Sequence, residues 1–77
     1  MSKIYAGIGS RKTPSEVCSV FANLAGRLGQ AGWTLRSGAA LAQGVEMAAC
    51  ALDDVNQFNY ANMLDDLAQK IYQEATQ

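Results

Sequence analysis

A short apolar segment, Lys3-Ile-Tyr-Ala-Gly-Ile8, runs through the glycine-spaced turn Gly7-Ile-Gly-Ser-Arg11 into a helix start. That succession restricts the chain more than any other feature. The segment reads as a buried strand ended by Gly9. Thr13-Pro14-Ser15-Glu16 then has the form of a capping box with proline at the first helical position. Thr13 can accept from the N–H of Glu16, and Glu16 can reach back to the N–H of Thr13. Val17, Val20, Phe21, Leu24 and Leu28 follow at helical spacing, which predicts one apolar stripe on a helix over 13–29. Gly29 and Gly32 stand where such a helix would end.

Further along, Trp33-Thr34-Leu35-Arg36 reads as a second short strand, and Ser37-Gly38 repeats the small-residue turn of the N-terminus. The alanine-rich stretch Ala39 to Leu52 predicts a second helix, starting late, near Gln43 or Gly44. Asp53-Asp54-Val55-Asn56 interrupts it. Tyr60, Met63, Leu64, Leu67 and Ile71 predict an amphipathic helix over 58–75. The order is β-α-β-α-α. Two parallel strands joined by a helical crossover form half of a doubly wound sheet, so the expected fold class is α/β, a minimal half-Rossmann unit. The chain reads as a single truncated domain over 1–77, with an α/β portion over 1–52 and a C-terminal helix over 53–77. Two strands do not make a stable sheet in water, and their outer edges invite pairing. The expectation is therefore completion by self-association or by a protein partner.

Composition narrows the classes. Hydrophobic residues make up 49% of the chain, so disorder is not expected. There is no histidine and no C-x-x-C pair, which argues against zinc. Cys18 and Cys50 both lie among small apolar residues and read as buried free thiols of a reducing cytosol. No apolar run approaches the roughly 20 residues of a membrane span, and Met1-Ser2-Lys3 opens no signal peptide, so a cytoplasmic protein is expected. Residues 1–45 carry a balance of +4 and residues 46–77 a balance of −5, a split that points to a basic and an acidic face.

The chemistry suggested by the opening turn is anion binding. Glycines before a helix let backbone N–H groups approach a phosphate, while Ser10 adds a hydroxyl and Arg11 a guanidinium fork. Arg36 stands at the end of the second expected strand, just before Ser37. Tyr5-Ala-Gly-Ile-Gly-Ser-Arg11, Thr13-Pro14 and Gly32-Trp-Thr-Leu-Arg-Ser-Gly38 together resemble the superfamily that joins DNA-processing protein A to the Lonely Guy nucleotide hydrolases (SLOG), above all its small phage and bacterial members. The resemblance covers about residues 3–50. It implies a Rossmann-like nucleotide-binding fold in which Gly7, Gly9, Ser10 and Arg11 form the first phosphate-binding turn and Ser37 and Gly38 open the second. The family's second turn continues with glycine, alanine and an acid. Here an ungapped alignment puts Ala39, Ala42 and Gly44 at its second glycine, next glycine and acid, whereas a two-residue insertion aligns Gly44-Val45-Glu46 with the acidic motif.

Three functions follow as expectations. The first is a small binding module that takes a nucleotide-derived or other phosphate-containing ligand or a protein partner, of the kind a phage or mobile element uses as an inhibitor. The second is a degenerate nucleotide N-glycosidase or phosphoribohydrolase, disfavoured because the family's P-G-G-x-G-T-x-x-E motif is absent. The third is a DNA-associated factor like DNA-processing protein A, disfavoured because no long basic stripe is present. No metal site and no catalytic constellation is expected, and Phe58 and Tyr60 read as helix-packing aromatics rather than base-stacking ones.

Overall fold

A computed structural model describes residues 12–77. Three helices make up the regular structure of these residues: α1 (Pro14–Ala31), α2 (Leu35–Asp54) and α3 (Phe58–Ala75). Among the described residues there is no strand. The α/β, half-Rossmann expectation is therefore overturned, because the segment needed for its second strand, Trp33–Arg36, belongs partly to a cap and partly to a helix. The first expected strand, Lys3–Ile8, lies outside the described residues.

The cause of that correction is local. Thr34 has extended backbone, φ −105° and ψ 162°, and its Oγ1 accepts from the N–H of Ser37 at 2.9 Å. The Ser37 hydroxyl in turn accepts from the N–H of Thr34 at 3.1 Å. Thr34 and Ser37 thus form a reciprocal capping box that satisfies first-turn donors, and α2 starts at Leu35 rather than near Gln43 or Gly44. The β-forming side chains of Trp33 and Thr34 suggested a strand, and the cap chemistry of Thr34 overrides them. The α1 start follows its expectation: Thr13 accepts from the N–H of Glu16 at 3.2 Å, and Glu16 accepts from the N–H of Thr13 at 2.8 Å. At the other end, Gly32 takes φ 101°, a conformation an L side chain resists, and its N–H returns to the carbonyl of Gly29.

Helices α2 and α3 form an antiparallel hairpin across Val55–Gln57. The turn is a Schellman arrangement: the Gln57 N–H reaches the Leu52 carbonyl at 2.8 Å and the Asn56 N–H reaches that of Asp53 at 3.0 Å. Asn56 sits at φ 65°, the left-handed position that asparagine tolerates better than most residues. Along α2 the inward positions are Gly38, Ala42, Val45, Ala49 and Leu52. Along α3 the buried ones are Ala61, Leu64, Ala68 and Ile71. The steps alternate between three and four residues, which is the heptad spacing of a coiled-coil seam.

Gly38 meets Ala75, and that contact with the short turn fixes the register. The register sets Leu52 level with Ala61, Ala49 with Leu64, Val45 with Ala68 and Ala42 with Ile71. Each layer matches a larger side chain with a small one, so the helices approach closely without leaving voids. Met63, expected in the α3 stripe, is 55% exposed, because the buried face is turned toward Ala61 and Ala68.

Helix α1 is held mainly on α3 and only lightly on α2. Cys18 and Ala25 are buried, with Val17 and Phe21 packed against the core. The expected stripe is split, since Val20 and Leu24 stay 45% and 40% exposed. Trp33 is half-buried. Its ring lies against Gly29 of α1, and its Nε1 donates to Glu74 of α3 at 3.0 Å.

Two glycines of α2 should respond with opposite signs to a single methyl group. A Cβ at Gly38 overlaps that of Ala75, whereas a Cβ at Gly44 meets nothing. Gly38→Ala is expected to lower stability by about 1–3 kcal/mol. Gly44→Ala is expected to raise it by about 0.5–1 kcal/mol through helix propensity. Urea denaturation followed by circular dichroism measures both; equal effects would contradict the seam.

Candidate functional site

The seven residues expected to bind a ligand divide into two groups. Gly7, Gly9, Ser10 and Arg11 lie outside the described residues. Arg36, Ser37 and Gly38 all fall in the first turns of α2. Arg36 is exposed. The Ser37 hydroxyl is engaged with Thr34, and Gly38 is buried against Ala75 at the hairpin's open end, away from the Val55–Gln57 turn. Their spacing serves a cap and a close helix contact in the structure.

The described start of α1 carries a negative charge of its own. Two hydrogen bonds from Thr13, the backbone one the stronger influence, hold the Glu16 carboxyl below its ordinary value. The carboxylate complements the helix dipole and occupies the place where an incoming anion would gain most.

A concavity among the described residues lies elsewhere, between α1 and α3. A groove of about 440 Å³ has Ala25, Leu67 and Ile71 among its apolar lining residues, with Trp33 near one end. The α1 wall is made of Ala22, Gly26 and Gly29; its backbone is bare at Gly26, where a Cβ would meet open space, and covered by the Trp33 ring at Gly29. The α3 rim carries Lys70 and Glu74, and Gln30 completes the α1 side. A second hollow of about 260 Å³ shares Ala22, Leu67 and Lys70, and adds Cys18, Met63 and Asp66. The two form one open channel along the α1–α3 junction. Sequence reasoning missed it because its α1 wall consists of small residues beside the apolar stripe rather than within it.

The thiols differ in setting. Cys18 is buried as expected, its Sγ 3.7 Å from the Tyr60 carbonyl, and burial raises its pKa. Cys50 is exposed, which corrects the expectation of two buried thiols: it lies off the seam, one residue past Ala49. Tyr60 packs against the core, whereas Phe58 at the start of α3 is 55% exposed. Among the described residues, no group of three or more His, Cys, Asp or Glu side chains could hold a metal ion, and no helix is long and apolar enough to cross a membrane.

No family model matches the chain, and neither the curated proteins nor the solved structures give a match.

Two measurements probe this region. The Glu16 carboxyl is depressed in the folded state, so its cap contributes above the unfolded carboxylate range and is lost as pH falls through the lower folded value. In a pH titration followed by amide NMR, the Thr13 and Glu16 signals should share a midpoint below 4.5, and Thr13→Ala should move that midpoint up. In thiol labelling at neutral pH, exposed Cys50 should react quickly, while Cys18 should react only as α1 lifts from α3. Equal rates would mean that α1 does not cover Cys18.

Proposed function

We propose that the chain is a small helical interaction module and that the α1–α3 channel is its working surface. The occupant is an amphipathic helical segment of a protein. One observation carries this reading: an apolar floor lies open beneath a wall of small residues spaced three and four apart, Ala22, Gly26 and Gly29. Such a wall lets a docked helix come near the α1 backbone at Gly26. Half-buried Leu67 and the neighbouring exposed Met63 supply the area a docked helix would bury. Met63 favours such docking because its flexible thioether adapts to irregular surfaces. This keeps the protein-partner half of the sequence expectation and drops its nucleotide-binding fold.

The test is site-specific photo-crosslinking in cells. A photoreactive phenylalanine analogue replacing Gln30, on the channel rim, should give a discrete protein adduct. The same analogue replacing Met47, exposed on α2 away from the channel, should give none. Absence of an adduct from position 30, or equal yields from both positions, would overturn the channel as the docking face.

A further inference from the structure

We infer that the occupant of the channel is a second copy of this chain, paired two-fold and antiparallel along α3. This rests on the docking role proposed for the channel and names its partner. Asp66, Lys70 and Glu74 stand four residues apart on the channel side of α3, about 6 Å per step along the axis. They form a ladder of alternating sign. The opposite wall, on α1, is uncharged. The charges that select an occupant therefore come from α3 alone.

In a two-fold pair the same patch meets itself and must be self-complementary. An antiparallel α3–α3 contact with its axis level with Ala68 meets that demand. Asp66 of each copy then faces Lys70 of the other, and both pairs form at once. The axis also sets each copy's exposed Met63 level with Gln73 of the other, beside the groove end lined by Gly29, Trp33 and Glu74. The apolar contact supplies the affinity. The rim pairs add little affinity when matched, but like charges set opposite each other at the axis are costly, so they set register and partner choice.

The decisive experiment uses Asp66→Lys and Lys70→Asp as separate full-length chains. Both positions are exposed, so both variants should keep the wild-type helical circular dichroism. Wild type should run in sedimentation equilibrium at twice 8.2 kDa. Each variant alone sets like charges opposite each other and should run at the single-chain mass. A mixture of the two restores both opposite-charge pairs across the axis and should return to the double mass. Neither variant contains an attractive 66–70 pair within its own helix, so recovery on mixing reports contact between chains.

A wild-type chain at 8.2 kDa, a single variant that stays double, or a mixture that stays single would each overturn the second copy as occupant. The crosslink at position 30 separates this failure from that of the channel itself. An adduct heavier or lighter than two chains leaves the docking face in place with a different protein in it, and no adduct removes the face.

Discussion

Everything in this molecule hangs on how closely α2 and α3 can approach. Gly38 and the alanines at 42, 49, 61, 68 and 75 remove side-chain bulk at one position in every layer. Larger partners, Leu52, Leu64, Val45 and Ile71, fill the space opposite, except where Gly38 meets Ala75. Close approach places many atoms at van der Waals contact and keeps the seam dry, although few large side chains are available. The largest fully buried side chains, Leu64, Ile71 and Val45, all belong to this seam. The caps, the Schellman turn and the Trp33–Glu74 hydrogen bond keep the two helices in this register.

The remaining helix is held on different terms. Cys18, Ala25, Val17 and Phe21 anchor α1, while Val20 and Leu24 stay exposed on its flank. An apolar stripe only partly used, beside a wall of alanine and glycine, is an economical way to leave an opening. The hairpin supplies rigidity, and α1 supplies one side of a channel whose width its own docking sets. The channel's α3 rim is built on the helix that shares the α2–α3 seam, so the charged ladder keeps its spacing whatever α1 does.

Parts of this arrangement were legible in the residues. The Thr13–Glu16 box could be read from its cap chemistry, and the bounds of α3, which has no side-chain cap at its start, from its helical period. The second strand could not survive, because Thr34 and Ser37 look like strand and turn residues when read by propensity and like a capping box when read by hydrogen-bonding capacity. The seam was hidden for a related reason. A search for large apolar residues finds Leu64 and Ile71 along with Tyr60, Met63 and Leu67, but not the alanines repeating every seven residues through which the helices approach. Gly38 shows the ambiguity most sharply: a glycine after serine suits an anion turn, and it equally suits a helix crossing where no Cβ fits. Only the contact with Ala75 distinguishes them.

The short Val55–Gln57 turn bears on how quickly the hairpin assembles. Leu52 and Ala61 stand on either side of it, so the first layer of the seam closes a small loop at little entropic cost. Each further layer then adds to structure already formed, ending at Gly38 and Ala75. Helical hairpins zipped from their turn belong to the fast end of folding rates, in the range of microseconds to milliseconds. Helix α1, joined through Gly32 and Trp33, has to wait for that surface to exist. It is also the element that native-state hydrogen exchange would find opening first, so the barrier to exposing the channel is that of undocking one helix, not of unfolding the protein.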